Sequence, residues 1–370
     1  MDKPPAMASL RRYKLISEFV TKFSDSDLLE NLNNTTTILE ASDYFTLHYE
    51  KCSVKRNKIK LLENISTFKK IFIVSSFSLY QSIGKRIEER EIINISDKEF
   101  LTSNFDFNDS LIILTNNNLA QIGLTNMSNF IKQFETSIVA IHDFDNHHWH
   151  HLSNVSAMIA DVYIPAHLSS NIVQSRINPN MDITIPCGSI QWTRELLFNN
   201  IQKIMSLERI KDPLGMHNFY EKFKYRNSVI STLSQKTSTI NLNFDNFHAR
   251  SAIDRFNEWA SHSCHWIIPV YNDLPIRFFD ALITGGIPII PSSLIQQMNY
   301  FKIPKDFYIV HDGLDIIDPK EIIIEANHLF EIKGVEGILE RFNFCFQNFH
   351  INSITNNIIL HCEKKYLNVT

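Results

Sequence analysis

Short apolar runs rich in β-branched residues recur along the chain: "TTTILEA" from Thr35, "KIFIVSSF" from Lys70, "SLIILT" from Ser110, "SIVAIHD" from Ser137, "DVYIPA" from Asp161 and "DITIPC" from Asp182. Each has the length and residue type of a buried strand. Segments with helical spacing, such as "LYQSIGKRIEER" and "LTNMSNFIKQFE", fall between them, and this alternation predicts a parallel, doubly wound sheet. The stretch "MSLERIKDPLGMHNFYEKFKYR", residues 205–226, breaks the pattern with charge, a proline and a glycine and is expected to cross between domains. A second alternation follows, with strands at "STINLNF" from Ser238, "CHWIIPV" from Cys264, "IPIIP" from Ile287 and "DFYIV" from Asp306, and a helical region from about Pro319 to the end. The expected class is α/β, with two Rossmann-like α/β domains facing across a cleft. Residues 1–205 form the first, 206–345 the second and 346–370 a helical tail.

Length and composition fit that picture, since 370 residues at 44% hydrophobic content suffice for two cores. A net charge of -4 gives no basic face, so nucleic acid is not expected as a partner. The chain lacks an apolar run of about eighteen residues, and its opening "MDKPPAMASLRRYKL" has charge where a signal peptide needs its apolar core. A soluble, cytoplasmic protein is the expectation. Cys52, Cys187, Cys264, Cys345 and Cys362 lie far apart with no C-x-x-C pair, which suits reduced thiols and not a disulfide framework or zinc ribbon. With only 9 glycines, neither G-x-G-x-x-G nor G-x-x-x-x-G-K-[ST] can be matched. Nicotinamide, flavin and P-loop chemistry are therefore disfavoured.

The stretch "DLPIRFFDALITGGIPIIPSSL", residues 273–294, reads as helix, glycine turn and buried strand. Asp273 is expected to cap a helix with Pro275 in its first turn, running to about Thr284. Gly285 suits a left-handed stop, Gly286 completes the turn, and Pro288 opens the strand. Phe278, Ala281 and Leu282 share the face that packs on the sheet, which puts Arg277 and Asp280 together on another edge. At a helix N-terminus an arginine favours phosphate, and a carboxylate one turn on can accept hydrogen bonds from a ribose diol. An ordinary i,i+3 salt bridge on a solvated helix is the competing reading.

The string "PIRFFDALITGGIPII" resembles the donor-binding motif of GT-B glycosyltransferases. It is most similar to the exostosin-like form: arginine, two residues, an acidic residue, alanine, three residues, glycine, any residue, Ile-Pro. The resemblance implies that Asp280 holds the nucleotide ribose, that Arg277 is the exostosin-like arginine and that Gly285 and Gly286 form the small-residue turn. The family often has a glutamate eight residues before the ribose carboxylate, where this chain has Asn272, and more often Glu than Asp at the ribose position. A nucleotide sugar as donor, no other cofactor and no metal follow from the resemblance. Lacking an anchor, the chain fits a cytoplasmic bacterial enzyme building a surface glycan such as lipopolysaccharide O-antigen or capsule, on a glycan or lipid-linked acceptor.

Ser292 and Ser293 follow the strand and could donate to a phosphate; a serine pair here is similar to that of CMP-sugar transferases of the sialyl or Kdo type, although turn chemistry also explains it. Arg226 and Arg250 lie near the starts of helices of the second domain and could reach a diphosphate; the plain alternative is surface charge.

"AIHDFDNHHWHHLS", residues 140–153, should leave the C-terminal end of a strand, where open parallel sheets bind ligands. Three readings compete. Asp143, His142 or Asp145 could be the general base that takes the acceptor proton. His147, His148, His150 and His151 with Asp143 and Asp145 could bind zinc, iron or manganese, making the chain a metal-dependent hydrolase. Or Asp143 caps a helix and the histidines face solvent. A sugar-binding protein without catalysis would keep the donor pocket but tolerate loss of Asp143 and His142. The basic run "KCSVKRNKIK", residues 51–60, is either a solvated helix face or a contact with anionic lipid that would make the enzyme peripheral on the inner membrane.

Overall fold

The structure, a computed structural model, describes residues 67–74, 83–102, 105–118, 136–144, 146, 153, 156–157, 160–168, 183–217, 220, 223–237, 239–242 and 250–367. They fall into two compact units. The first lies within Met1–Tyr80, Lys85–Ile185 and Thr355–Thr370, the second within Gln81–Gly84 and Pro186–Ile354. The division therefore comes at 185 and not 205, and the end of the chain joins the first unit instead of standing apart as a tail over 346–370.

The first unit is built on a sheet of β1 (Lys70–Val74), β2 (Arg86–Ile87), β3 (Arg90–Ile95), β4 (Leu111–Thr115), β5 (Ile138–Asp143) and β6 (Val162–Pro165), ordered β2-β3-β1-β4-β5-β6. All pairings are parallel except the β2–β3 hairpin. Strands β4, β5 and β6 are buried at every residue, as apolar strands covered on both faces must be. Two sequence expectations fail here. The end of the segment expected to be helical, "GKRIEER", forms β2 and the turn into β3, where Arg86 and Ile87 pair antiparallel with Glu91 and Arg90. The "DITIPC" run forms no strand over residues 183–187, because Pro186 has no N–H to give a ladder; Ile185 N donates to Pro165 O at 3.2 Å. The "TTTILEA" and "LTNMSNFIKQFE" runs lie outside the described residues.

In the second unit β7 (Gly215–His217) pairs in parallel with β8 (Ile240–Leu242), and β9 (Cys264–Trp266), β10 (Ile287–Pro291) and β11 (Ile309–His311) form a parallel sheet ordered β11-β10-β9. Leu214 joins the two sheets: its N–H donates to Cys264 O at 3.0 Å and its carbonyl accepts from Trp266 N at 2.9 Å. The resulting order is β8-β7-β9-β10-β11. Setting aside β2, both units thus show the doubly wound order 2-1-3-4-5, whose ligands bind beyond the carboxyl ends of the strands near the point where the winding reverses. In the second unit that point lies between β7 and β9. Residues 205–226, expected to be a crossing, instead contain β7, a strand too short and too polar to show as an apolar run.

The helices that matter below are α1 (Lys224–Ser234), α2 (Ala252–Ala260), α3 (Ile276–Ile283), α4 (Ile295–Tyr300), α5 (Lys320–Ile332), α6 (Gly334–Phe349) and α7 (Ile351–Tyr366). The last three realise the expected helical region. Helix α6 packs on α3, and its buried Arg341 donates from Nε and Nη2 to Gly285 O at 3.0 and 2.8 Å, which fixes the turn at the end of α3. Among the described residues no helix is long and apolar enough to cross a membrane.

A candidate nucleotide site in the second unit

Helix α3 starts two residues later than spacing suggests. Pro275, in extended conformation, is its N-cap, while Asp273 closes the preceding turn by accepting from Val270 N at 2.5 Å. From Phe278 to Ile283 every residue is buried, so α3 has no open polar edge. Asp280 in particular is completely enclosed, and Arg277 half-buried. The pair therefore does not sit on the solvated helix face that the competing salt-bridge reading requires.

Asp280 is nevertheless not saturated. Its Oδ2 accepts from Gln191 Nε2, and its Oδ1 has no hydrogen-bond partner. Burial pushes its pKa up to about 8, against the Gln191 hydrogen bond and the positive charges of Arg277 and Arg255. A buried carboxyl with an idle oxygen is costly unless something donates to it.

Arg277, whose charge reaches Asp280, has basic residues within its own electrostatic reach. Arg226, near the start of α1, is 4% exposed; its Nε donates to Ile268 O at 3.3 Å and its guanidinium lies 5.1 Å from the Tyr220 ring centroid. Burial, reinforced by the charge of Arg277, lowers its pKa to about 10. His217, the last residue of β7, is also buried, and burial together with Arg277 and Arg226 keeps its imidazole neutral. Two guanidinium groups and a histidine are thus within electrostatic reach of one another, at the winding reversal of the sheet.

A cavity of about 530 Å³ opens at the same end of the sheet. Ile268 beyond β9, Ser292 and Ser293 beyond β10 and Asp312 beyond β11 line it, together with Arg226 and Tyr271. Of the expected donor residues, Arg226 and Ser292 are on its wall, whereas Arg277 and Asp280 are not; the charge of Arg277 acts on Arg226. Arg250 stands elsewhere, paired with Glu258 at 2.6 Å. Gly286 acts through the fold: a Cβ there would lie 2.5 Å from His265 Nε2, and that ring is stacked on Trp259 at 4.7 Å. Gly285 takes the left-handed conformation, with φ of 75°.

The catalytic candidates of the first unit are differently placed. His142 is buried in β5 with Nε2 2.8 Å from Ile185 O, and burial lowers its pKa to about 4. Asp143 is equally buried and accepts from Tyr163 Oη at 2.7 Å. Neither is open to an acceptor, which corrects the expectation that they face a cleft as bases. Asp145 and the histidines 147, 148, 150 and 151 lie outside the described residues; among those described, no three potential metal ligands cluster.

Gln191 and His217 are site residues that the sequence did not disclose. Gln191 sits in a loop with no motif, and His217 in the short strand that hid β7.

Solved structures with a similar course of the chain include the Anabaena protein HepE in complex with UDP-glucose, at 10% identity and a TM-score of 0.49 over 80% of this chain and 99% of that one. The same protein in complex with UDP and glucose gives 10% identity and a TM-score of 0.46 over 79% and 98%. The wall teichoic acid polymerase TagF gives 12% identity and a TM-score of 0.31 over 88% and 98%. No protein-family model matches the chain, and no curated protein is similar to it in sequence.

Proposed function

We propose that the chain is a GT-B glycosyltransferase that moves a sugar from a nucleotide-activated donor to a hydroxyl of a growing bacterial surface glycan, of the lipopolysaccharide O-antigen or capsule kind. The observation that carries this reading is Asp280: a fully buried carboxyl inside the exostosin-like string, with one oxygen idle and Arg277 one turn before it. A ribose diol supplies the missing donors. Arg277 and Arg226, with the Ser292 hydroxyl, take the diphosphate, and the cavity at the ends of β9, β10 and β11 takes the nucleobase.

In the reaction the acceptor oxygen bonds to the anomeric carbon as the bond from that carbon to the diphosphate oxygen breaks. The nucleoside diphosphate departs with the bonding electrons, and the arginines stabilise the charge that builds on it, the part a metal ion would otherwise play. The acceptor proton passes to a base. With His142 and Asp143 enclosed, this role is assigned to Asp145, the remaining carboxylate of that loop. The acceptor, a glycan or lipid-linked glycan, belongs to the first unit, and the enzyme works in the cytoplasm, peripheral on the inner membrane.

A thermal-shift panel of UDP, GDP, TDP, ADP and CMP tests the donor half. A nucleotide that binds only the folded chain raises its melting point, by the equivalent of about 2.7 kcal/mol at a hundred times its Kd. One nucleotide should stand out; CMP as that one would place Ser292 and Ser293 in the CMP-sugar pattern. Arg277→Ala and Asp280→Asn should remove that shift and the transfer activity while each variant still unfolds in a single cooperative transition. Silence across the whole panel, or full turnover by both variants, overturns the assignment.

A further inference from the structure

Tyr271 has a backbone that does not suit it. Its φ is 55°, in the left-handed region that a bulky side chain enters only when its surroundings impose it. The surroundings here do. Asp273 N donates to Val270 O at 3.2 Å, Asp273 Oδ1 accepts from Val270 N at 2.5 Å, and Gln297 Nε2 donates to Asn272 O, so the turn is pinned before and after the tyrosine.

Burial of the ring does not compensate for that strain, because Tyr271 is 67% exposed. Glycine would hold the same turn without the clash of a Cβ. What the tyrosine adds is a face. Its ring stands edge-on to Phe223, centroids 5.0 Å apart at 86°, and both residues line the 530 Å³ cavity together with the apolar Ile268, Pro269 and Ile316.

We propose that Tyr271, braced by Phe223, is the surface on which the donor's nucleobase stacks. The inference rests on the glycosyltransferase reading above and deepens it by naming the residue that grips the base. An aromatic face accepts any base, so Tyr271 sets affinity for a planar ring and leaves the choice among bases to the polar wall of the cavity.

The test separates stability from binding in three variants. Tyr271→Gly should melt no lower than the wild type without ligand, since strain is relieved and no buried contact is lost. Its affinity for whichever of UDP, GDP, TDP, ADP and CMP the wild type binds should fall at least tenfold by titration calorimetry. Tyr271→Ala should lose as much affinity, and Tyr271→Phe, which keeps the ring, should retain it. Inorganic pyrophosphate should bind Tyr271→Gly as it binds the wild type. A glycine variant that binds nucleotide normally, or one that melts well below the wild type because the ring holds the fold, overturns the stacking role alone. If the wild type binds none of the five nucleotides, the glycosyltransferase reading falls, and the stacking role falls with it.

Discussion

Asp280 sits where its charge is least welcome, and that fixes how it responds to pH. Its carboxyl rises from an ordinary 3.8 to about 8, chiefly by burial, so between those values the folded chain holds a proton that the unfolded chain has released. The sign follows directly. The stabilising share of this proton is complete below 3.8 and is lost as the pH climbs to about 8. Asp280→Asn keeps the shape and removes the titration. Urea unfolding should therefore show the wild type losing stability relative to this variant between about pH 5 and about pH 8. Parallel curves for the two proteins would mean that Asp280 is ionised throughout. Hydroxyl donors of a ribose favour the ionised form, so nucleotide affinity of the wild type should climb over the same interval.

The helix, turn and strand over 276–291 show what makes an element legible from sequence. Pro275, the apolar run of α3, two glycines and "IPIIP" all specify the same local structure, and the structure follows them. The glycine turn carries a sharp prediction. Gly286→Ala would drive a methyl to 2.5 Å from His265 Nε2, and Gly285→Ala combines a left-handed φ with a contact of 2.4 Å to Ile338 Cγ2. Each should destabilise the chain by about 2 kcal/mol or more in denaturant titrations. Gly313→Ala, which meets nothing within 4 Å, should stay within about 0.5 kcal/mol of the wild type. Equal effects at all three would discount the steric account. Elsewhere local signals were misleading or absent. The β2–β3 hairpin was masked by charged residues at helical spacing, and β7 is three residues long and carries a glycine and a histidine. The Asp280–Gln191 pair spans distant parts of the chain, so no local pattern could announce it. Asp273 illustrates a finer failure: an acidic residue before a helix reads as its cap, yet here it binds the turn upstream.

At the scale of the whole molecule, the sheets of both units are wound in the same order, and the alternation of strand and helix that specifies such winding was readable; where the chain returns was not. Helix α7 begins at Ile351 in the second unit, and from Thr355 on it belongs to the first. One side chain secures that return. Glu363, 3% exposed, accepts from Phe68 N at 3.1 Å, from Arg90 Nε at 3.1 Å and from Arg90 Nη2 at 2.8 Å, so it ties α7 to the start of β1 and to β3. Tyr366 Oη adds a bond to Asp161 O at 2.9 Å. Removing one partner of a buried ion pair costs about 3 to 5 kcal/mol where the other is left uncompensated, and less here, about 2 to 3 kcal/mol, because Arg90 keeps its ion pair with Glu88. Glu363→Ala should therefore weaken the first unit by about that amount, with Glu363→Gln losing less because it still accepts from Phe68 N. Hydrogen exchange reads the two units separately: amides of β1 and β3 should lose protection in Glu363→Ala, while those of β9 and β10 keep theirs. The melting shift given by the best-binding nucleotide should also survive, since every residue of the proposed site belongs to the second unit. Equal loss of protection in β9 and β10 would show that Glu363 supports the chain as a single cooperative body and not the first unit alone.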